Sequence, residues 1–352
     1  MIRVALIGYG YAARTFHAPL IRATPGLELA CISSSRPERV DADLPGIPVV
    51  SSPEEACAVP SVALVVIATP NDTHVSIATT ALRAGKHVVV EKPLAPTLEG
   101  ARELASLAQS RDRLLAVFQN RRWDGDFLAL SGLVARDALG DVAHFESHFD
   151  RYRPVVRDRW RERAGVGSGL WFDLGPHLVD QALQLFGVPD RLTASMAAQR
   201  PGALADDWAH VVLEYRRLRV ILHTSALVAA SRPRFIVHGH DGSWIKYGLD
   251  GQERLLNATL TPDAARQVQD VEHAVLVDGA SGRETDTPCP HGDYRQFYVR
   301  LRDALHGAAG NPVPPEQMIP VIAVLEAAVR SATDGRALSL PLTEAEKRAF
   351  RR

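Results

Sequence analysis

Cysteine is scarce in this chain. Its 352 residues include three cysteines, Cys31, Cys57 and Cys289, and no two of them form a C-x-x-C pair. The chain is long enough to bury a large core without covalent staples. Because the number of cysteines is also odd, we expect inert or buried thiols in a reducing cytoplasm rather than a disulfide framework.

Long apolar runs and an excess of charge of one sign are also missing. No run approaches the roughly 18 apolar residues of a membrane-spanning helix, and the first residues suggest a strand rather than an export signal. The formal net charge is −1, which offers no electrostatic reason to bind nucleic acid or a membrane surface. We expect a cytoplasmic protein that binds neither. No H-E-x-x-H pattern occurs either, so we expect no metal.

The clearest motif stands near the N-terminus. The apolar run Val4–Ile7 is typical of a strand buried in a parallel sheet, and it leads directly into Gly8-Tyr9-Gly10-Tyr11-Ala12-Ala13. In this G-x-G-x-x-A pattern, Gly8 allows a sharp turn, Gly10 allows a pyrophosphate to approach, and Ala13 lets a helix pack on the strand. A helix starting near Ala12 would direct its N–H groups at the phosphates. The pattern favours a dinucleotide site over an ordinary tight turn.

The end of the second predicted strand bears on the choice of cofactor. Proteins of this type that select NAD place an acid there for the ribose 2′-hydroxyl. This chain has Ser33, Ser34, Ser35 and Arg36 instead. Hydroxyls and a guanidinium suit a 2′-phosphate, because arginine can bind phosphate with two parallel hydrogen bonds. We therefore expect NADP(H) to be preferred over NAD(H). A polar turn with a helix-capping serine is the alternative.

Strand and helix patterns alternate up to about Gln119. Such alternation predicts a doubly wound parallel sheet, in which ligands bind beyond the carboxyl ends of the strands. The predicted strands are Leu27–Ser33, Pro48–Val50, Val62–Ala68, His87–Val90 and Leu114–Phe118. Beyond strand ends we place further cofactor-binding residues, namely Thr69, Pro70, Asn71, His74, Glu91, Lys92, Pro93 and Asn120.

The pattern changes after about Gln119, which predicts a second domain over 120–352 after a Rossmann domain over 1–119. Period-two runs predict an α/β domain with a large, mostly antiparallel open sheet. We expect strands over 142–153, 191–199, 210–215, 219–228, 234–239 and 244–247, and helices over 124–138, 293–306 and 316–332.

A glycine-rich segment, 165–177, stands out in this second domain. The chain looks helical from about Asp173, and a spacing of four places Asp173 and His177 on one helix face. A carboxylate near an imidazole can set its tautomer and pKa, as a general acid or base requires. The alternative is an acid that favours the helix dipole and a surface histidine one turn later.

Together these segments resemble the Gfo/Idh/MocA (glucose–fructose oxidoreductase/inositol dehydrogenase) family over essentially the whole chain. The likeness is carried by GYGYAA at 8–13, ATPNDTH at 68–74, EKP at 91–93 and GSGLWFDLGPH at 167–177. Within the family the chain is most similar to the NADP-dependent scyllo-inositol dehydrogenase-like subgroup. That closer likeness is carried by NRRWDGDF at 120–127 and HFESHFDRYRPVVRDRWRE at 144–162.

The resemblance implies a cofactor-contacting Trp160-Arg161 pair and a cis peptide bond before Pro93. It places Lys92 near the nicotinamide and the substrate hydroxyl, with Asp173 and His177 completing the catalytic set. It also implies that the open sheet forms a subunit interface, so we expect a homodimer or homotetramer. The chain departs from the family pattern at two positions. Ser168 stands where a glycine is frequent, and Ser34 stands where an acid is frequent.

The predicted reaction is hydride transfer between NADP(H) and a secondary alcohol of a polyol, cyclitol or sugar. His177 is the candidate base, Lys92 would stabilise the developing alkoxide, and Asp173 would orient His177 or bind substrate. A surface lysine at a strand end is the alternative for Lys92. Two other functions compete: a non-catalytic dinucleotide-binding regulator, and a hydrolase or lyase with a tightly held nicotinamide. Further candidates for binding the substrate are Asn120, Arg122, Tyr152, Asp180 and Tyr294.

Overall fold

A computed structural model describes residues 1–258, 261–267 and 273–350. The chain packs as two compact units, and each is built from separate stretches of sequence. The first contains 1–123, 293–319 and the described residues within 251–268. The second contains 124–250, 320–350 and the described residues within 269–292. Among all described residues, no helix has both the length and the apolar character needed to cross a bilayer.

The strands and helices are numbered in chain order. The strands are β1 Ile2–Ile7, β2 Leu27–Ser33, β3 Val49–Val50, β4 Leu64–Ile67, β5 His87–Glu91, β6 Leu115–Phe118, β7 Val142–Asp150, β8 Arg191–Ala197, β9 Trp208–Glu214, β10 Arg219–Ser225, β11 Pro233–Gly239, β12 Gly242–Tyr247, β13 Ala274–Asp278 and β14 Glu284–Asp286. The α-helices are α1 Ala18–Arg22, α2 Pro37–Asp43, α3 Pro53–Ala58, α4 His74–Arg83, α5 Leu98–Ser110, α6 Gly125–Ala135, α7 Gly169–Phe186, α8 Gln252–Asn257, α9 Pro262–Gln267, α10 Arg295–Leu305, α11 Pro315–Asp334 and α12 Glu344–Lys347.

The first unit contains the predicted doubly wound parallel sheet. Its six strands lie in the order β3-β2-β1-β4-β5-β6, and every neighbouring pair is parallel. The register pairs Ile7 with Ser33 on one side and with Ile67 on the other. The carboxyl ends of these strands therefore meet at one edge of the sheet. Central strands are apolar throughout because both of their faces are buried, as in Leu64–Ile67, where each residue is 0 % exposed.

The second unit contains the predicted large, mostly antiparallel sheet. Its eight strands lie in the order β14-β13-β12-β11-β7-β10-β9-β8. The pair β7 and β10 is parallel, and the other neighbouring pairs are antiparallel. The structure also contains β13 and β14, which the sequence patterns did not predict.

Helix α7 packs on one face of this sheet, where the rings of Phe145 in β7 and Phe186 in α7 lie 5.3 Å apart. Because side chains alternate along a strand, the neighbours of Phe145 in β7 point to the opposite face, which we call the outer face. In β7 the outer face includes His144, Glu146, His148 and Asp150, all half-buried.

One predicted boundary is wrong at a functional position. The helix expected from about Asp173 begins at Gly169, one turn earlier. Asp206 holds this start: its backbone C=O accepts from the N–H of Leu170 at 2.8 Å, and its Oδ2 accepts from the N–H of Trp171 at 2.7 Å. Asp206 lies in another part of the chain, so the local sequence gave no sign of this cap. Asp173 therefore lies within the helix rather than at its first position.

Candidate functional site

The glycine turn has the geometry that a bound pyrophosphate needs. Gly8 has φ +88°, and a Cβ there would lie 2.6 Å from the carbonyl oxygen of Ala68. Its N–H donates to the carbonyl of Ser33 at 2.9 Å, which joins the ends of β1 and β2. A Cβ on Gly10, by contrast, would meet no atom within 4 Å. The turn is therefore tight where it faces the sheet and open where a ligand would approach.

A helical segment follows the turn from Tyr11. It contains a π-helical turn over Ala13–His17 and continues directly into α1. Ala13 is 0 % exposed, in agreement with the expectation that a small residue is needed where the helix meets the strand. The first N–H groups of a helix have no acceptor within the helix. They are available to an anion beside Gly10, where the positive end of the helix dipole lies.

The loop after β2 presents the residues predicted to bind a 2′-phosphate. Ser33 is buried, Ser34 is half-buried, and Ser35 and Arg36 are exposed. Ser34 Oγ accepts from the backbone N–H of Arg36 at 3.0 Å. This bond shapes the loop and leaves the hydroxyl hydrogen of Ser34 able to donate. The loop thus combines hydroxyl donors with an exposed guanidinium beside the glycine turn.

His74 links the loops that follow β4 and β5. It is 0 % exposed, with Nδ1 2.8 Å from the carbonyl oxygen of Pro93 and Nε2 3.1 Å from that of Thr69. Burial lowers the pKa of His74, and the hydrogen bonds to the two carbonyls oppose this effect. The peptide bond between Lys92 and Pro93 is cis, as the family resemblance implied. His74 therefore positions the two loops relative to each other. Asn71, which precedes it on the loop after β4, is also buried, at 5 % exposed.

A buried network that no sequence pattern predicted lies next to Lys92 in the chain. His17 Nε2 lies 3.0 Å from Glu91 Oε1, and His17 Nδ1 lies 2.5 Å from the hydroxyl of Tyr298. The backbone N–H of Lys92 donates to Glu91 Oε2 at 3.0 Å. Burial alone would raise the pKa of Glu91, but the hydrogen bond from His17 and the nearby positive charges, Lys92 among them, together outweigh it and the pKa is lowered. Burial raises the pKa of Tyr298 well above its usual value.

As a carboxylate, Glu91 accepts from an N–H at His17 Nε2, and the neutral form of that ring accepts from the Tyr298 hydroxyl at Nδ1. This network fixes the residue that precedes Lys92. His17 could have been suspected from its place on the helix after the glycine turn. Tyr298 lies in α10, far along the chain, and no spacing connects it to either partner.

In the second unit, Asp173 forms ion pairs with two arginines. Its Oδ2 lies 3.2 Å from Arg151 Nη1 and its Oδ1 lies 3.4 Å from Arg161 Nε. The guanidinium of Arg161 also stacks on the ring of Trp160, 4.8 Å from its centroid. The predicted Trp160-Arg161 pair is thus joined directly to the predicted catalytic aspartate. Asp173, Arg151 and Arg161 border a cleft that is also lined by three further arginines and two further carboxylates, Arg153, Arg159, Arg200, Glu162 and Asp206.

His177 lies one turn after Asp173 in α7 and is 6 % exposed. Asp180 and Gln181 follow it, and each is 1 % exposed. Arg234 Nη2 donates to Gln181 Oε1 at 2.7 Å, which ties α7 to β11. The predicted polar face of the helix therefore exists, and it is almost entirely buried.

The remaining substrate candidates differ in exposure. Tyr152 is 61 % exposed, whereas Asn120 is 4 % and Tyr294 is 1 % exposed. Arg122 is half-buried and donates to Gln317 Oε1 at 2.8 Å. Tyr294 packs against Phe16, with the ring centroids 5.9 Å apart. Their roles in binding substrate stay predictions.

The residues of the first unit fit a dinucleotide. The space above Gly10, the start of the following helix and the exposed Arg36 lie along the edge where β1 and β2 end. Backbone N–H groups at the helix start would hold the pyrophosphate, and Ser34, Ser35 and Arg36 would hold the phosphate on the adenosine ribose.

Comparisons with known proteins agree with this geometry. A family model described as "Oxidoreductase family, NAD-binding Rossmann fold" matches residues 2–119. A second, "Oxidoreductase family, C-terminal alpha/beta domain", matches residues 132–340. Both are models of Gfo/Idh/MocA proteins, and together they cover most of the chain.

Similar proteins match over nearly their whole length. The chain is 53 % identical to the uncharacterized oxidoreductase YdgJ of Escherichia coli strain K12, over 96 % of this chain and 99 % of that protein. It is 37 % identical to scyllo-inositol 2-dehydrogenase (NADP(+)) IolW of Bacillus subtilis strain 168, over 96 % of each. A crystal structure of an oxidoreductase from Klebsiella pneumoniae superposes with a TM-score of 0.93 at 50 % identity, covering 99 % of this chain and 98 % of that one.

Proposed function

The chain belongs to the Gfo/Idh/MocA oxidoreductase family, and from this premise we propose that it transfers a hydride between NADP(H) and a secondary alcohol of a polyol, cyclitol or sugar. The observation that carries the proposal is the glycine turn, tight at Gly8 and open at Gly10, at the edge where the polar strand ends meet. The substrate class is supported by the similarity to an NADP⁺-dependent scyllo-inositol dehydrogenase.

The chemistry divides between cofactor and protein. Bound NADP(H) would supply the hydride acceptor or donor, and the protein supplies positions and charges. In the direction of oxidation, His177 accepts the hydroxyl proton, because the unperturbed pKa of histidine lies close to working pH. The cationic Lys92 stabilises the developing alkoxide, with its backbone anchored by Glu91 and the buried His17. Asp173, paired with Arg151 and Arg161, binds substrate hydroxyls.

A substrate panel tests the function. Purified protein is incubated with cyclitols and aldoses in the presence of NADP⁺ or NAD⁺, and formation of the reduced cofactor is followed by absorbance. We expect turnover with NADP⁺ and at least one cyclitol or sugar. Tight NADPH binding with no turnover on any substrate would instead indicate a regulator. Cofactor that stays bound through purification, without net reduction, would indicate a hydrolase or lyase.

Two variants test the assignment of the base once a substrate is found. His177→Ala should lower kcat by roughly 10²–10⁴-fold, the usual contribution of a general base, while NADPH affinity measured by fluorescence titration hardly changes. Lys92→Met should behave similarly, because it removes the cation that stabilises the alkoxide. The exposed His240 provides a matched control, and His240→Ala should keep wild-type kinetics. Near-normal kcat in His177→Ala would assign the base to another group.

A further inference from the structure

The outer face of the second unit carries a histidine–aspartate cluster that the proposed reaction does not use. His148 and Asp150 are two residues apart in β7, so they point to the same face of the sheet. Strand β10 runs parallel to β7, with His223 paired to His148 and Ser225 paired to Asp150. The register therefore brings an imidazole from each strand to the same carboxylate.

The ligand atoms of this cluster are close together. His148 Nδ1 lies 3.8 Å from Asp150 Oδ2, and His223 Nε2 lies 3.6 Å from Asp150 Oδ1. One ligand atom from each of the three residues lies within 4.8 Å of the others. Metal–ligand bonds of about 2.0–2.1 Å place neighbouring ligands of a tetrahedral ion about 3.3 Å apart. Small side-chain rotations would bring the three groups to that spacing.

The cluster also contains polar atoms with unmet hydrogen-bonding capacity. The side chains of His148, Asp150 and His223 are 12 %, 10 % and 8 % exposed. Yet neither carboxylate oxygen of Asp150 nor Nδ1 of His148 makes a hydrogen bond. Leaving buried polar atoms unsatisfied costs free energy, and one cation among them would remove that cost.

The surrounding residues orient the cluster as partners of metal ligands do. His148 Nε2 lies 2.8 Å from Glu146 Oε2, so an N–H at Nε2 can donate to that carboxylate and leave Nδ1, which faces Asp150, able to bind a cation. A carboxylate behind a ligating histidine is the usual arrangement at metal sites.

We propose that His148 Nδ1, Asp150 and His223 Nε2 bind one divalent transition-metal ion, such as Zn²⁺, with a water in the fourth position. The ion cross-links β7 and β10, the parallel pair in the middle of the sheet. It lies on the face of the sheet opposite α7, because Phe145 in β7 packs on α7 and His148 has the opposite parity in the strand. The ion therefore stabilises the sheet and takes no part in the reaction.

Isothermal titration of tag-free full-length protein tests this site. The protein is first treated with a chelator and dialysed, and is then titrated with zinc chloride. We expect one Zn²⁺ per chain with a micromolar or lower Kd, a raised Tm when zinc is present, and the intense visible absorption of four-coordinate cobalt when Co²⁺ replaces Zn²⁺. Asp150→Asn and His223→Gln should each abolish stoichiometric binding and the zinc-dependent rise in Tm.

Two further variants keep the test decisive if a ligand variant folds poorly. Glu146→Gln leaves all three ligands in place and should weaken zinc binding roughly 10–100-fold by loosening His148. His238 lies on β11 and is exposed, so His238→Gln is the matched control and should bind like wild type. The proposal fails if wild type binds no stoichiometric metal. It also fails if His238→Gln loses as much affinity as the ligand variants, which would reveal adventitious binding by surface histidines.

Discussion

At residue 34 the chain has a serine, and two residues later an exposed arginine. Ser34 Oγ accepts from the N–H of Arg36, which fixes the loop that starts α2. A carboxylate at this place would repel a 2′-phosphate, whereas hydroxyls and a guanidinium attract it. The structure exposes Ser35 and Arg36, the preference for NADP(H) stays a prediction, and it can be tested at the arginine.

Arg36→Ala should raise the KM for NADP⁺ much more than the KM for NAD⁺. Loss of a charge-assisted phosphate contact costs about 1.5–3 kcal/mol, which corresponds to roughly a tenfold to hundredfold change. Arg39 is also exposed in α2, so Arg39→Ala controls for a general loss of positive charge. It should change neither the KM for NADP⁺ nor the KM for NAD⁺. Steady-state kinetics with both cofactors measures the effect. Equal changes for NADP⁺ and NAD⁺ in Arg36→Ala would refute the assignment.

At the scale of elements, helix α7 depends on a cap from outside its own sequence. Gly169 has φ +88°, and a Cβ there would lie 1.9 Å from Asp206 Oδ1. Asp206 is largely buried, which raises its pKa to about 6 despite the hydrogen bond from Trp171. Gly187 ends the same helix with φ +74°, and a Cβ there would meet no atom within 4 Å. Both glycines thus have a positive φ, but only Gly169 has neighbouring atoms where a Cβ would lie.

Gly169→Ala should therefore destabilise the protein more than Gly187→Ala. Both substitutions place a side chain at positive φ, which costs about 1–3 kcal/mol, but only Gly169→Ala also displaces Asp206 from the helix start. We expect its total cost to exceed that of the control by at least about 1 kcal/mol, the typical worth of a lost helix cap. Urea unfolding followed by circular dichroism gives both values. Equal losses would show that Asp206 moves aside freely.

At the scale of the whole molecule, the outer face of the eight-stranded sheet bears on assembly. A row of half-buried apolar residues crosses it, interrupted by Glu146. Val212 pairs with Ile221, and Ile236 pairs with Ile245. Apolar side chains on a sheet face gain free energy when a second surface covers them. A two-fold symmetric pairing of such faces remains our prediction for the homodimer, possibly doubled to a tetramer.

Sedimentation velocity at micromolar concentration tests the assembly. Wild type should sediment as a dimer or tetramer, and Ile236→Lys should shift it toward monomer, because a buried unpaired charge is costly. Leu204 is 68 % exposed and lies outside the strands, so Leu204→Lys should leave the assembly intact. Circular dichroism checks that each variant is folded. A monomeric wild type would contradict the prediction.

The sequence alone was enough to identify both sheets, the glycine turn and the family. The signals were local: Val4–Ile7 is apolar throughout because the strand is buried on both faces, and Gly8 and Gly10 follow it at fixed spacing. The family motifs likewise indicated the cis bond before Pro93, which the structure contains. These features could be predicted because each depends on residues close together in the chain.

Other features were decided only by the tertiary structure. The start of α7 depends on Asp206, the state of Glu91 depends on His17 and Tyr298, and the histidine–aspartate cluster depends on the register that sets β10 beside β7. None of these partners stands at a recognisable spacing in the sequence. Hydrogen bonds and metal ligation act over about 2–4 Å in space, so contacts between distant segments become visible only after the chain has folded.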